Sequence, residues 1–136
     1  MLKPTKILIP TDFSEYSNMA LRQAFDIAKQ YKAKVYVLHV VHGESYYEDV
    51  EKQMIEGARK KLQEEIDKFP QAKELEVFTE VVSGNTSEAI LTEERSKGID
   101  LIVIASLGRS GIAKYLIGSV ARNVLKGAKC PVLLTK

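Results

Sequence analysis

The sequence predicts a single α/β domain in which helices cover both faces of an open, doubly wound sheet of five parallel strands. Short apolar runs alternate with segments of helical periodicity along the whole chain. Some of these runs are apolar at consecutive positions, as at residues 7–9, which is typical of strands buried on both faces of a parallel sheet. The 136 residues fit one domain spanning 1–136, long enough to form a core without disulfides or metal.

The first third of the chain predicts a strand, a helix and a second strand. Residues 7–9 form the first strand, which ends at Pro10. Asp12 and Ser14 are both suitable N-caps for the helix that follows and ends near residue 31. The second strand covers residues 35–41, an almost continuous apolar run.

Two long helices are predicted from stripes of apolar residues at helical spacing, which we expect to face the sheet. The first helix has the stripe Met19, Ala20, Ala24, Ile27 and Ala28. The second helix has the stripe Val50, Met54, Ala58, Leu62, Ile66 and Phe69, and it stops at Pro70.

The third strand, at residues 75–82, mixes alternation with an apolar end and is therefore placed nearer a sheet edge. A helix then runs from residue 86 or 87 to 97, and Gly98 suits its C′ position. Glu93 and Glu94 stand where its apolar stripe should continue. Either this helix is largely exposed, or Glu94 has a partner elsewhere in the fold.

The remaining elements are a strand at residues 101–104, a helix at 119–126 and a last strand at 131–135. Right-handed crossovers give these elements an open doubly wound fold. We predict a Rossmann-like sheet of strand order 3-2-1-4-5, in which the first and fourth strands are neighbours. In such sheets ligands bind beyond the carboxyl ends of the strands, where the order reverses. We therefore expect residues 10–12 and 105–108 to converge on one crevice.

Composition excludes several classes of protein. The 20 Lys and Arg nearly balance the 18 Asp and Glu, so the basic excess typical of nucleic-acid binding is absent. The single cysteine, Cys130, forms no internal disulfide and is interpreted as a small buried hydrophobe. No stretch resembles a signal peptide or approaches the roughly 20 apolar residues of a membrane span. The expectation is a cytoplasmic protein with no membrane partner.

A glycine-bearing loop follows the fourth strand and points to an anionic ligand. Gly108, Gly111 and Gly118 lie in one loop-to-helix segment, where backbone amides and a helix N-terminus suit phosphate. Ser119 is placed to cap the following helix and to contact phosphate oxygens. The alternative is a flexible turn with an ordinary cap. The segment matches neither the P-loop nor the dinucleotide fingerprint, and a nucleotide remains the first ligand to consider.

Asp12 and His39 each allow two interpretations. Asp12 either accepts from ribose hydroxyls or binds a divalent cation in the crevice, or it caps a helix; the two roles are compatible. His39, near the end of the second strand, is interpreted more readily as a packed residue with one hydrogen bond than as a residue that flanks a base or shuttles a proton. No set of residues forms a convincing catalytic constellation, so the sequence favours binding over chemistry.

The chain resembles the universal stress protein family. The similar segments span essentially the whole chain in order: KILIPTDFS at 6–14, LHV at 38–40, DLIVI at 100–104, GRSG at 108–111, LIGSV at 116–120 and CPVLL at 130–134. The family's ATP-binding members have the pattern G-x2-G-x9-G-[S/T]. This sequence matches it at Gly108, Gly118 and Ser119 and departs from it at the first position, which is Ala105.

The resemblance implies a nucleotide site. By position, Pro10, Thr11 and Asp12 are implied to meet the adenosine, and the backbone of Val40 the adenine. Around the phosphates the implied residues are Gly108, Gly118, Ser119 and Val120. Arg109 is added on the grounds of charge and proximity, and Ala105 belongs to the site as the altered motif position.

The resulting functional prediction is a stress-response sensor or regulator that binds ATP, or AMP or ADP. Mg²⁺ would enter with the nucleotide and Asp12, and hydrolysis would be slow at most. The resemblance also implies a homodimer that pairs through the last strand, residues 131–135. Two alternatives remain: a nucleotide-free interaction module of the same fold, which Ala105 favours, and a slow ATPase or adenylyl-transfer enzyme.

Overall fold

The structure is a computed structural model that describes residues 3–42, 47–107 and 117–136. Its centre is one sheet of five strands in the order β3-β2-β1-β4-β5, and every neighbouring pair is parallel. The strands are β1 (Lys6–Pro10), β2 (Lys34–Val41), β3 (Val77–Ser83), β4 (Leu101–Ala105) and β5 (Val132–Thr135). The predicted fold class and strand order are confirmed.

Helices α1 (Glu15–Tyr31), α2 (Glu48–Asp67), α3 (Thr86–Lys97) and α4 (Ser119–Gly127) cover the sheet, and a short 3-10 helix spans Pro70–Glu74. Alternation along the strands divides the core between the two faces. Ile7 and Ile9 belong to the cluster beneath α1 and α2, whereas Leu8 belongs to the cluster beneath α3 and α4. Because these three residues are fully buried, the centre of the sheet is covered on both sides. Within the described ranges, no helix combines the length and apolar character needed to cross a membrane.

The first helix begins and ends as predicted, and Ala20, Ala24 and Ala28 of its predicted stripe are fully buried. Ser14 is the N-cap and accepts a hydrogen bond from the Ser17 amide, and the helix ends at Tyr31. Met19, which we placed on the buried stripe, is 48% exposed, whereas Leu21 and Phe25 are fully buried. Leu21 and Phe25 therefore share with the alanines the face of α1 that meets the sheet.

The stripe of α2 is buried only in its second half. Leu62 and Ile66 are buried, but Val50 and Met54 are 45% and 43% exposed. The prediction that the whole stripe faces the core was therefore wrong at its beginning. These first turns of α2 are not covered by the sheet, although Met54 lies at the edge of a cleft described below.

Glu94, which interrupts the apolar stripe of α3, forms hydrogen bonds to the backbone that follows α4. Glu94 is 4% exposed, and its Oε2 accepts hydrogen bonds from the amides of Lys129 and Cys130, both at 2.9 Å. Of the two alternatives left open by the sequence, the buried partner is correct. Gly98 ends α3 in the left-handed conformation, with φ of 67°, as its predicted C′ role requires.

Candidate functional site

A cleft with a volume of about 470 Å³ opens where the strand order reverses. It lies beyond the carboxyl ends of β1 and β4, as expected for a doubly wound sheet. Eight of the predicted site residues line it: Pro10, Thr11, Asp12, Val40, Ala105, Gly118, Ser119 and Val120. The other two, Gly108 and Arg109, lie outside the described residues, as does Gly111.

Asp12 organises the turn between β1 and α1 and also lines the cleft. Its Oδ1 accepts hydrogen bonds from the Ser14 amide at 3.0 Å and from the Ser17 hydroxyl at 2.8 Å. The capping residue of α1 itself is Ser14. The interpretation of Asp12 as the cap of this helix was therefore wrong, although its carboxylate supports the start of α1 from the preceding turn.

The turn that carries Asp12 has an unusual backbone. Phe13, the next residue, has φ of 68°, a left-handed conformation that is uncommon for a bulky residue and costs of order 1 kcal/mol. The Phe13 amide donates to the Thr11 hydroxyl at 3.1 Å, and the Thr11 amide donates to the Leu38 carbonyl at 2.8 Å. Hydrogen bonds on both sides of Asp12 hold the turn in place.

The backbone of Val40 faces the space beyond the end of β1. In a strand, successive residues direct their amide and carbonyl groups to opposite neighbours. The Leu38 carbonyl accepts from Thr11 on the β1 side, and the Val41 carbonyl accepts from Gly84 on the β3 side. Val40 therefore points its N–H and C=O toward β1, whose last paired residue, Pro10, is opposite Leu38. One donor and one acceptor are thus presented to the cleft.

The N-terminus of α4 forms the opposite wall. Gly118 is its N-cap, without a side-chain capping bond, and Ser119 is the first helical residue. The prediction that Ser119 caps this helix was therefore wrong, because a residue inside the first turn is already past the capping position. The Gly118 amide donates to the Ser106 carbonyl at 2.5 Å.

The amides of Ser119, Val120 and Ala121 belong to the first turn of α4, which lines the cleft. Such amides have no acceptor within the helix, and the helix dipole is positive at this end. A helix start of this kind is suited to an anion. In α3, by contrast, the Asn85 side chain accepts from the Glu88 amide and occupies the equivalent position.

Ala105, the altered motif position, is the last residue of β4. Among the described non-glycine residues, Phe13 and Lys32 have φ in the left-handed region, and Ala105 does not. The conformational freedom of glycine is therefore not needed here. The alanine side chain packs against the core cluster beneath α1 and α2.

His39 is a packed residue, as its position suggested. Its Nδ1–H donates to the Thr11 carbonyl at 2.8 Å, and its ring stacks on Phe13 with centroids 4.2 Å apart. His39 also lines the cleft. It therefore supports the turn that holds Asp12.

Sequence analysis missed several residues of the cleft wall, including Ser17, Met54 and Thr86. Met54 was assigned to the core stripe of α2, and the other two belong to no motif. His42 also lines the cleft, and its Nε2 lies 3.3 Å from the Thr86 hydroxyl. Met54 and Thr86 reach the cleft because α2 and α3 pack beside β2, and Ser17 reaches it because α1 begins directly after the turn that carries Asp12. No local signal in the sequence identifies these residues.

The described part of the chain contains no cluster of three His, Cys, Asp or Glu side chains able to hold a metal ion. Among the described lining residues, Asp12 is the one carboxylate. A divalent cation in this cleft would therefore need most of its ligands from elsewhere, such as the oxygens of a bound phosphate chain and water.

The fold and the cleft define a doubly wound α/β protein with a cleft where the strand order reverses, and comparison with known proteins identifies its family. The family model described as "Universal stress protein family" matches residues 4–136. This chain belongs to the universal stress protein family. It is 34% identical to Universal stress protein MJ0531 of Methanocaldococcus jannaschii over 96% of this chain and 81% of that protein. It is 28% identical to Universal stress protein YxiE of Bacillus subtilis, over 96% and 98% of the two chains.

Solved structures have the same fold. The structure of protein MJ0577, also from Methanocaldococcus jannaschii, matches with a TM-score of 0.89 at 28% identity and covers 99% of this chain and 97% of its own. A universal stress protein in complex with cAMP matches with a TM-score of 0.76 at 25% identity, over 99% and 98% of the two chains. At least one structural neighbour has thus been crystallised with an adenine nucleotide.

Proposed function

We propose that this chain is a stress-response regulator that binds ATP, or the related nucleotides ADP or AMP, in the cleft between β1 and β4. One observation carries the proposal: the backbone of Val40 and the open N-terminus of α4 face the same cleft. The edge of an adenine ring has one donor and one acceptor, and the phosphates are anions. The two ends of the nucleotide match the two walls.

Two further observations support an adenine nucleotide. A cavity of about 470 Å³ is within the range of small-molecule sites. The cAMP complex of a family member with the same fold supports the choice of base. In this proposal Pro10, Thr11 and Asp12 contact the adenosine, and Gly118, Ser119 and Val120 contact the phosphates. Gly108 and Arg109 are proposed as additional phosphate contacts on the sequence pattern alone.

Asp12 is proposed to accept from a ribose hydroxyl and to contact Mg²⁺ where the nucleotide brings one. Oδ1 is directed to the start of α1, which fixes the orientation of the carboxylate. Loss of this group should weaken the ribose contact. An Asp12→Asn variant keeps the shape of the side chain and removes its charge, so it separates the electrostatic part of the contact from packing.

The proposed role is sensing rather than turnover, with slow hydrolysis at most. Among the described lining residues, the one carboxylate supports the turn, and His39 donates to Thr11. The protein is further proposed to be cytoplasmic and to form a homodimer through residues 131–135. Support for the dimer comes from β5, an edge strand on which Leu133 is 36% exposed; an exposed edge favours strand pairing.

Calorimetric titration with ATP, in the presence and absence of Mg²⁺, tests the proposal. We expect saturable binding and competition by ADP and AMP, and no heat at millimolar ATP would refute it. Nucleotide released by denaturing the purified protein and identified by mass spectrometry tests which ligand is retained. Sedimentation at a range of protein concentrations tests the dimer separately.

A second candidate, a nucleotide-free interaction module, is favoured by Ala105 at the first motif position. An Ala105→Gly variant distinguishes the two candidates. If the parent binds no ATP and the variant does, the module is correct. If both bind with similar affinity, the alanine is compatible with the site, as its packing into the core suggests. ATP turnover well above background that Asp12→Ala abolishes would instead indicate an enzyme.

A further inference from the structure

Three side chains from separate elements form a stack beside the cleft, which we call the turn stack: Phe13, His39 and Lys61. The Phe13 and His39 rings are 4.2 Å apart between centroids, with 28° between their planes. Lys61 Nζ lies 4.7 Å from the centroid of the Phe13 ring. The β1–α1 turn, strand β2 and helix α2 therefore meet at one aromatic ring.

The turn stack acts on both neighbours of Asp12. His39 donates through Nδ1 to the carbonyl of Thr11, the residue before Asp12, at 2.8 Å. The same imidazole stacks on Phe13, the residue after it. A single side chain therefore fixes the backbone on both sides of the one carboxylate in the described lining of the cleft.

The position of the Asp12 carboxylate depends on this backbone. Phe13 has φ of 68°, a conformation that bulky residues adopt only when their surroundings enforce it. With the turn in this conformation, the Ser14 amide donates to Asp12 Oδ1 at 3.0 Å. If the Phe13 ring lost its stacking partners, the backbone would relax toward negative φ and this hydrogen bond would be lost.

We propose that His39, Phe13 and Lys61 are positioning residues that hold the Asp12 carboxylate in place for the ribose of a bound nucleotide. This inference rests on the proposed function for the identity of the ligand. The positioning itself is a property of the free protein and is testable without ligand. Lys61 also links the turn to α2, the helix that contributes Met54 to the cleft wall.

The three members contribute by different physical means. The His39–Phe13 contact is a ring stack supported by a hydrogen bond. The Lys61 contact is a cation–π interaction of an exposed side chain, which is weakened by water. We therefore expect substitutions of Phe13 and His39 to loosen the turn more than a substitution of Lys61.

Amide hydrogen exchange of the free protein tests the positioning. The variants are Phe13→Leu, which removes the ring, His39→Phe, which keeps a ring and loses the donor, and Lys61→Gln, which removes the charge. Lys60→Gln, an exposed neighbour on α2, is the matched control. The Ser14 amide reports the turn. The amide of Val35, a fully buried residue, donates to the Glu76 carbonyl at 2.9 Å and reports global opening.

We expect Ser14 exchange to accelerate about tenfold in Phe13→Leu and His39→Phe relative to Val35, and two- to threefold in Lys61→Gln. The control should leave it unchanged. Unchanged Ser14 exchange in both Phe13→Leu and His39→Phe overturns the inference, and so does equal acceleration at Val35, since that would indicate general destabilisation.

ATP affinity, measured with and without the Asp12 carboxylate, tests the consequence for binding. We expect Phe13→Leu to weaken ATP binding about tenfold in the parent and less than about twofold in an Asp12→Asn background, because coupled residues are not additive. Equal losses in both backgrounds overturn action through Asp12. If the parent binds no ATP, the proposed function fails, and the exchange experiment still decides whether the stack holds the turn.

Discussion

Glu93 of α3 and Glu80 of the edge strand β3 form a hydrogen-bonded carboxyl pair. Glu93 is 9% exposed. Two carboxyl groups form a hydrogen bond only when one of them holds a proton. Burial, the hydrogen bond that protonated Glu93 donates to Glu80 and repulsion by the charge of Glu80 raise the pKa of Glu93 from 4.5 to about 7, opposed by Lys97.

This pair predicts a pH dependence of stability. Between about pH 4.5 and 7 the folded state keeps a proton on Glu93 that the unfolded state has lost, so raising the pH through this window destabilises the fold. We expect Glu93→Gln to remove this dependence and to be more stable than the parent above pH 7, by roughly 1–3 kcal/mol. Urea unfolding at a series of pH values measures the free energy of unfolding of the parent and of Glu93→Gln.

The control is Glu64→Gln, which changes an exposed carboxyl group on α2. Parallel pH profiles of the parent and Glu93→Gln would contradict the prediction.

Truncation of the Glu94 side chain is expected to lower the free energy of unfolding substantially. Its carboxylate accepts from two backbone amides. Burial raises the pKa of Glu94, but hydrogen bonds from Cys130 and Lys129 outweigh burial and lower it overall. We expect Glu94→Ala to destabilise the fold by about 2–3 kcal/mol, because two backbone amides lose a charged, buried acceptor. Chemical denaturation measures the loss, with the exposed-site variant Glu88→Ala as control; a change within the error of that control would refute it.

The thiol of Cys130 is expected to react slowly in the folded protein. Burial, followed by the hydrogen bond and charge of Glu94, raises the pKa of the Cys130 thiol to about 12. Since the thiolate is the reactive form, we expect modification by a disulfide reagent at pH 8 to be at least about a hundredfold slower in the folded protein than in urea. Equal rates would show that the thiol is accessible and ionisable. Glu94→Gln should accelerate the folded reaction, since it removes a neighbouring negative charge.

A substitution at Gly118 is expected to weaken ATP binding and to leave the fold intact. As N-cap of α4 it has φ of −71° and ψ of 166°, an extended conformation open to valine. A branched side chain would stand beside the amides proposed to hold phosphate. We expect Gly118→Val to weaken ATP binding about tenfold or more, a loss of 1.4 kcal/mol, with thermal unfolding nearly unchanged. Gly118→Ala is the smaller change at the same position. Gly57→Ala is the control at a distant position, where an added Cβ meets nothing within 4 Å. Undiminished affinity in Gly118→Val would place the phosphates elsewhere.

Prediction from sequence succeeded where the signal is local. Alternating strand and helix patterns predict a doubly wound parallel sheet, and the Gly98 end of α3 follows from the left-handed conformation that glycine tolerates. It failed at Ser119, because capping depends on which residue first leaves helical geometry, and the structure gives that position to Gly118.

The long helices, the five strands and the edge of the sheet at which the candidate site residues meet could be predicted from the sequence, because hydrophobic periodicity is local and the carboxyl ends of parallel strands share one edge. The tertiary structure alone decided that Val50 and Met54 remain exposed, that Glu94 holds the amides after α4, and that His39 supports Phe13. Periodicity shows which side chains share a face, whereas burial and pairing depend on what another part of the chain places against that face.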